Sequence, residues 1–268
     1  MEYIKSIILG IVEGITEWLP ISSTGHMILL NEFMGIGADS FFNSQIYLYV
    51  IQLGAILAIA TLYFKKLNPF ALSKSKQEKA DTWQMWFKVL VACLPAAVLG
   101  LLFNDAMDAV STPTVVSVML IVYGIAFLFI ERRGKSAKLQ DMNQMTYKTA
   151  LLIGLFQVLS IIPGTSRSGA TILGAMLIGC SRPLAAEFSF FLAIPVMFGV
   201  SFLKIVTNDY LMTATEWGLL LTAMVTAYIV SLLAVKFLVS YVRKHDFKVF
   251  GWYRIVLGIF VLLYFIFR

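Results

Sequence analysis

The sequence contains few charged residues. Only 13% of its 268 residues are Asp, Glu, Lys or Arg, about half the usual share of a soluble domain, whereas 59% are hydrophobic. A single soluble core of this length could not bury so much apolar surface, because charged side chains normally cover the outside. This shortage of charge excludes a soluble enzyme, a nucleic-acid-binding domain and a disordered chain. It predicts an all-α polytopic membrane protein.

Cysteine is scarce as well. The two cysteines, Cys93 and Cys180, lie in apolar segments, so neither a disulfide framework nor a zinc site is expected. No signal peptide is evident, because Glu13 and Glu17 soon interrupt the N-terminal apolar stretch. The net charge of +6 indicates membrane topology rather than nucleic-acid binding, since the basic residues are concentrated in a few loops.

Six apolar segments are about long enough to cross ~30 Å of hydrocarbon. They are Tyr47–Phe64, Trp86–Phe103, Val115–Ile130, Leu184–Val206, Trp217–Leu238 and Gly251–Phe267. Two more apolar regions, near residues 4–30 and 150–180, are interrupted by Pro, Gly, Ser and Thr at Trp18–His26 and Ile161–Gly169. Irregular backbone at membrane depth is tolerated only where protein or a water-filled cavity satisfies it. Each region therefore predicts a re-entrant helix–loop–helix hairpin.

The segments between the spans alternate in charge. Those at residues 65–84 and 131–148, and the one after residue 238, are rich in Lys and Arg. Those at residues 31–45, 104–114 and 205–216 contain neither Lys nor Arg. Because basic loops remain in the cytoplasm, the second group is predicted to face outside.

This orientation divides a single integral-membrane domain into two halves, residues 1–133 and 146–268. Each half is then a hairpin followed by three spans, in opposite orientation, which is an inverted-topology repeat. A shift of 144 residues aligns Gly10–Ile28 with Gly154–Ile172 and places Ser22 over Ser166. The two interrupted loops are expected to meet near the middle of the membrane.

The first loop region carries two carboxylates. Glu13 and Glu17 share a helix face because they are four residues apart. A charge at the bilayer centre costs roughly 2.5–3.5 kcal/mol, so the pair either lies near the interface or has a function. Since like charges repel, a divalent metal or an arginine is needed to stabilise the pair. Carboxylate oxygens suit Mg²⁺ or Ca²⁺.

Hydroxyl groups and a histidine follow Pro20. Ser22, Ser23 and Thr24 are suited to cap the next helix. A serine close to His26 is also a nucleophile–base arrangement, and histidine can itself attack phosphorus. His26 could equally be a satisfied interior side chain. The residues leave the nucleophile open between Ser23 and His26.

The second loop, Pro163–Gly169, holds Arg167 among small and hydroxyl residues. Its planar guanidinium suits phosphate, although Arg167 could also serve only as a partner for Glu13 or Glu17. Backbone N–H groups and hydroxyls at the start of the following helix predict an anion-binding nest. Placed face to face, the two loops predict a site for the phosphate ester of an amphiphilic molecule.

The motifs Glu13–His26 and Pro163–Gly169 resemble those of the undecaprenyl-pyrophosphate phosphatase family, also called the bacitracin-resistance family. With Ile51–Leu57, the resemblance extends over essentially the whole chain. It implies an enzyme of the bacterial inner membrane that hydrolyses undecaprenyl diphosphate to undecaprenyl phosphate and inorganic phosphate. Such an enzyme recycles the carrier lipid for cell-wall synthesis and confers bacitracin resistance. The resemblance also implies a divalent cation, Mg²⁺ or Ca²⁺, and a site open to the outer face.

The same resemblance implies roles for individual residues. Glu13 and Glu17 would be catalytic and hold the metal, and Ser23, His26 and Arg167 would complete the catalytic set. Arg167 would bind phosphate, with Ser166, Ser168 and Thr171 as its supporting hydroxyls. The small and hydroxyl residues of the loops themselves add Ser22, Thr24 and Gly169 to the expected phosphate-binding set. Two other polar residues in apolar surroundings, Glu187 and Gln52, either line the cavity or tie helices together. Arg182 and Arg254 are expected to be interfacial anchors.

A transporter or flippase of a lipid phosphate is the main alternative, because inverted repeats and broken helices are also typical of secondary transporters. Release of inorganic phosphate in detergent would distinguish the enzyme from the transporter. A purely structural subunit is disfavoured by Glu13, Glu17 and Arg167. The sequence leaves the oligomeric state open, including a homodimer.

Overall fold

The computed structural model describes residues 1–37, 39–134, 137–207 and 210–267, which form eleven α-helices and two short 3-10 helices. The α-helices are α1 (Glu2–Thr16), α2 (Ser23–Phe33), α3 (Gln45–Leu62), α4 (Phe64–Leu67), α5 (Lys76–Ala109), α6 (Pro113–Arg132), α7 (Tyr147–Val158), α8 (Arg167–Ile178), α9 (Arg182–Val206), α10 (Ala214–Val242) and α11 (Lys248–Phe267). The prediction of a helical membrane protein is confirmed. Lys135 and Asp209, which contribute to the charge pattern, lie outside the described residues.

Six of these helices, α3, α5, α6, α9, α10 and α11, are long and apolar enough to cross a membrane. Five of them contain a predicted span in full, whereas the span predicted at Tyr47–Phe64 runs two residues past the end of α3 at Leu62. Large apolar side chains on them face outward: Phe129 is 58% exposed and Leu233 is 65% exposed. A soluble protein rarely exposes so much apolar surface, whereas lipid covers it without cost.

Helix α5 begins ten residues before its predicted span. The N–H of Glu78 donates to Ser75 Oγ at 3.2 Å, and the N–H of Ser75 donates to Glu78 Oε2 at 2.7 Å. This reciprocal capping satisfies N–H groups at the helix start and extends the helix into a polar segment. Hydropathy alone does not detect such an extension.

The two interrupted regions form helix–loop–helix hairpins, α1–α2 and α7–α8. Their helices have 15, 11, 12 and 12 residues, so each is roughly 16–23 Å long, too short to span the hydrocarbon. The residues before α2 and α8, Ser22 and Ser166, both have φ of 72°. They are the only non-glycine residues of the described chain with positive φ, a strained conformation that is often found at functional sites.

Each hairpin packs against a spanning helix of the other half of the chain. Helix α1 lies against α10, and α7 lies against α5. A Cβ atom on Gly10 would come within 2.6 Å of the Ala223 carbonyl oxygen. A Cβ atom on Gly154 would overlap the carbonyl oxygen of Ala92. Glycine therefore permits a backbone approach that no larger residue allows. These contacts hold both loops inside the bundle.

Candidate active site

The two interrupted loops are in direct contact. The hydroxyl of Ser168, in the first turn of α8, donates to the carbonyl oxygens of Glu17 at 3.1 Å and Leu19 at 3.3 Å. Ser168 is 1% exposed, so these bonds are shielded from solvent. The prediction that the two loops touch is confirmed, whereas their position at the middle of the membrane stays a prediction. The contact brings together most of the predicted site residues.

The carboxylates of Glu13 and Glu17 are both buried. Glu13 lies within α1 and is 2% exposed, and Glu17 ends this helix, its N–H donating to the Glu13 carbonyl at 3.0 Å. The side chains of Glu13, Glu17 and Arg167 are close enough to interact electrostatically. Glu13 Oε1 is buried and has no hydrogen-bond partner among the described residues. This burial contradicts a solvated position at the membrane interface.

Arg167, the first residue of α8, connects three parts of the fold. Its Nη2 donates to Glu17 Oε1 at 2.8 Å, and its Nη1 donates to the Ser189 carbonyl oxygen on α9 at 2.7 Å. The guanidinium lies over the ring of Trp18, 5.6 Å from its centroid. Its Nε is buried and has no acceptor within the described chain. Arg167 therefore pairs with Glu17 in this structure and keeps one free donor for a further ligand.

Ser23 and His26 do not form a nucleophile–base pair in this structure. Ser23 Oγ donates to Glu17 Oε2 at 3.4 Å. The His26 Nδ1–H donates to the Ser22 carbonyl at 2.7 Å, and His26 Nε2 lies 2.7 Å from the hydroxyl of Tyr253, which donates to it in the neutral tautomer. Both ring nitrogens are therefore occupied, and the basic group beside Ser23 is Glu17.

The hydroxyls of the second loop shape the start of α8. Ser166 Oγ accepts from the Gly169 N–H at 3.1 Å, which caps the helix, and lies 3.1 Å from Ser168 Oγ. Thr171 is fully buried and shares a 2.7 Å hydrogen bond with Ser189 Oγ. Thr171 therefore docks α8 on α9, behind Arg167. In the first turn of a helix the N–H groups lack intrahelical partners, which leaves this end suited to an anion.

Two predicted phosphate ligands of the first loop differ in their surroundings. Ser22 is 1% exposed, and its Oγ has no partner in the part of the chain that the structure describes. Thr24 is exposed, and no described hydrogen bond connects it to Glu17 or Arg167. The structure thus places Ser22, but not Thr24, among the buried polar groups of the loop junction.

The prediction that Arg254 is an interfacial anchor is wrong. Arg254 on α11 is 0% exposed and donates hydrogen bonds to backbone carbonyls of both loops. The sequence feature that could have indicated its burial among partners is that Arg254 is a single arginine inside an otherwise apolar span. An arginine in that position is costly unless it has partners. Ser189, whose carbonyl accepts from Arg167, was missed because the acceptor is a backbone atom that any residue supplies.

The remaining polar candidates connect structural elements. Glu187 accepts from Lys66 with both carboxylate oxygens at 2.8 Å, so it ties α9 to α4. Arg182 pairs with Glu131 through Nε and Nη2 and is 42% exposed in its side chain, in keeping with an interfacial position. Gln52 is partly buried in α3. For Glu187 the helix-tying interpretation is confirmed.

The donor set at the loop junction fits a hard divalent cation only together with further oxygen ligands. Among the described residues, no group of three or more His, Cys, Asp or Glu is placed to hold a metal. Glu13 and Glu17 offer two carboxylates, one with the unpartnered Oε1. Mg²⁺ is often held by one or two carboxylates together with substrate phosphates, which is the arrangement that these residues permit.

Comparison with known proteins identifies the family. The model of the family described as bacitracin resistance protein BacA matches residues 6–260. An undecaprenyl-diphosphatase of Enterococcus faecalis is 56% identical over 271 residues, covering 98% of this chain and 97% of that protein. An undecaprenyl-diphosphatase of Desulfitobacterium hafniense is 54% identical, with coverages of 99% and 96%. Undecaprenyl-diphosphatase 1 of Clostridioides difficile is 53% identical, with coverages of 99% and 97%.

Proposed function

The chain belongs to the bacitracin resistance protein family, and we propose that it is an undecaprenyl-diphosphatase. It hydrolyses undecaprenyl diphosphate to undecaprenyl phosphate and inorganic phosphate, which returns the carrier lipid to cell-wall synthesis and confers bacitracin resistance. The observation that carries the proposal is the buried ion pair of Glu17 and Arg167 at the junction of the two loops. The names of relatives more than 50% identical over nearly the whole chain support the substrate.

The terminal phosphate of the substrate binds at the start of α8. Arg167 is a suitable ligand because its Nε is free and its fork can exchange Glu17 for phosphate oxygens. The N–H groups of the first helical turn add donors, with Ser166, Ser168 and Gly169 forming the rim. Donors fixed in a buried site stabilise the charge that develops on the equatorial oxygens without having to reorganise.

Ser23 is the nucleophile that the geometry favours. Its Oγ attacks the terminal phosphorus while its proton passes to Glu17 Oε2, 3.4 Å away. The bond from phosphorus to the bridging oxygen breaks, and undecaprenyl phosphate leaves with that oxygen. Water then attacks the phosphoserine, releasing inorganic phosphate and regenerating Ser23. His26, held by Ser22 and Tyr253, fixes the first turn of α2 in this scheme.

Glu13 and Glu17 would hold Mg²⁺ or Ca²⁺, completed by phosphate oxygens of the substrate. The buried, unpartnered Oε1 of Glu13 supports this assignment, because such an oxygen is costly to leave without a ligand. When bound, the cation would neutralise part of the diphosphate charge.

The two halves, residues 1–133 and 146–268, form an inverted-topology repeat with re-entrant hairpins. Three features support this proposal: the matched packing of α1 on α10 and of α7 on α5, the contact of α6 with α11, and the identical φ of Ser22 and Ser166. With basic loops in the cytoplasm, the protein is a multi-pass protein of the bacterial inner membrane. Its site is open to the outer face.

The test is release of inorganic phosphate from undecaprenyl diphosphate by protein purified in detergent, with Mg²⁺, Ca²⁺ or EDTA. Metal-dependent release that is lost in both Glu17→Ala and Arg167→Ala is expected. Absence of release by folded protein under every metal condition contradicts the proposal and favours the transporter, which a lipid-phosphate flux assay in liposomes would then examine. Light scattering of the same preparation distinguishes a monomer from a homodimer.

A further inference from the structure

Arg254 is a large cation with no carboxylate partner in the described chain, although it is fully buried. Its guanidinium bonds instead to backbone carbonyls of three segments: both loops of the candidate site and helix α6. We propose that Arg254 is a positioning residue that locks the two loops together and aims the N–H groups of the second loop at the substrate phosphate. This inference rests on the proposed function.

The hydrogen bonds of Arg254 to the two loops are shorter than those to α6. Its Nη1 donates to the carbonyl of Pro20, in the first loop, at 3.1 Å. Its Nη2 donates to the carbonyls of Gly164 and Thr165, in the second loop, at 3.0 Å each. The bonds to Met119 and Leu120, on α6, are 3.4 Å long. The shorter bonds therefore go to the loops, and α6 supplies the support behind them.

The direction of the second-loop carbonyls fixes the direction of its amides. In a trans peptide the C=O and the following N–H point to opposite sides, and the described chain has no cis peptide bond. Because the Thr165 carbonyl points at Arg254, the Ser166 N–H points away from it. That N–H has no acceptor among the described residues, and the N–H groups of Arg167 and Ser168 follow it in the first helical turn. Three consecutive donors thus form an anion-binding concavity whose orientation depends on Arg254.

The surroundings of Arg254 favour this one arrangement. The guanidinium lies over the ring of Tyr123, 5.4 Å from its centroid. A Cβ on Gly169 would lie 3.0 Å from Arg254 Nη1, so the first turn of α8 leaves little room beside the guanidinium. Ser166 is held at φ of 72°, and such a conformation persists only where the surroundings enforce it. The Arg254 bonds to Gly164 and Thr165, just before Ser166, provide that constraint.

The test compares Arg254→Lys with wild type and with the matched control Arg182→Lys. In the wild-type protein Arg182 is also held by partners, but it pairs with the carboxylate of Glu131 and not with the loops. A lysine offers a single nitrogen and cannot reach carbonyls of all three segments. For Arg254→Lys we expect kcat to fall about 30-fold or more, with KM for undecaprenyl diphosphate nearly unchanged, since amide donors act mainly in the transition state. Amide hydrogen exchange should accelerate in both loops together, and neither change should occur in Arg182→Lys.

A second pair of variants keeps the test decisive if Arg254→Lys does not fold. Tyr123→Leu removes the ring under the guanidinium but leaves Arg254 in place, and Tyr123→Phe keeps the ring. Tyr123→Leu should lower kcat in the same direction with a smaller change in exchange, and Tyr123→Phe should behave as wild type.

The inference is overturned if folded Arg254→Lys, or Tyr123→Leu where the first variant does not fold, keeps wild-type kcat and wild-type exchange in the loops. It is also overturned if KM rises at constant kcat, because Arg254 would then act on ground-state binding. A wild-type protein that releases no phosphate refutes the proposed function instead. In that case hydrogen exchange still decides whether Arg254 fixes the loops.

Discussion

Replacing Arg167 by lysine separates the charge of this residue from its geometry. The guanidinium uses two nitrogens at once, Nη1 for the Ser189 carbonyl at 2.7 Å and Nη2 for Glu17 at 2.8 Å. A lysine ammonium is a point charge on a flexible chain, and it cannot hold both acceptors in that fixed fork. One hydrogen bond involving a charged group is therefore lost in a buried site, which costs about 1.5–3 kcal/mol.

That cost corresponds to a decrease of roughly 10- to 150-fold in kcat/KM, because each 1.36 kcal/mol of lost transition-state stabilisation is tenfold in rate. The assay is phosphate release from undecaprenyl diphosphate at several substrate concentrations. The matched control is Arg182→Lys, which alters the pair between the start of α9 and Glu131 on α6 and should keep nearly full activity. Near-normal kcat/KM for Arg167→Lys would refute the role of the fork. An equal loss of kcat/KM in Arg182→Lys would mean that both substitutions act by destabilising the protein.

Three further predictions concern packing, the nucleophile and the metal. Gly154→Ala places a Cβ into the Ala92 carbonyl and should destabilise the protein by about 1–3 kcal/mol in thermal unfolding. The control Gly199→Ala, with open space around it, should be neutral or stabilising. Equal unfolding temperatures for the two variants would contradict the close packing at Gly154. Ser23→Ala should abolish the acid-stable phosphoenzyme that is trapped by quenching with substrate labelled in its terminal phosphate. A label on His26, which is labile in acid and survives only an alkaline quench, would reverse the assignment. EDTA should abolish phosphate release and Mg²⁺ or Ca²⁺ should restore it, so full activity in EDTA would exclude the proposed metal.

The sequence predicts most of the helices and the charged residues Glu13, Glu17 and Arg167 of the loop junction, because both depend on strong local signals. A run of apolar residues interrupted by Pro, Gly and Ser can satisfy its backbone at membrane depth in few ways, so the hairpins follow from composition. The charges of Glu13, Glu17 and Arg167 are too costly in lipid to lie apart from one another. The sequence therefore favours their meeting, although it leaves the partner of the two carboxylates open between Arg167 and a divalent metal.

The contacts that the sequence could not predict involve backbone atoms or distant packing. The partners of Arg254 are carbonyl groups, which every residue carries, so no pattern of side chains indicates them. The bond of Ser23 to Glu17 rather than His26 depends on where α2 starts relative to the end of α1, a matter of a few ångströms. The docking of Thr171 on Ser189 likewise depends on how α8 and α9 cross.

The seating of each hairpin on a helix from the opposite half has a consequence for biogenesis. Helix α1 leaves the ribosome more than 200 residues before α10, its partner at the Gly10 contact, so the first hairpin is synthesised well before the surface that receives it. Helix α7, by contrast, is synthesised after its partner helix α5. The two hairpins therefore reach their partner helices in an unequal order, and the contact of α1 with α10 can form only when the C-terminal third of the chain is being made.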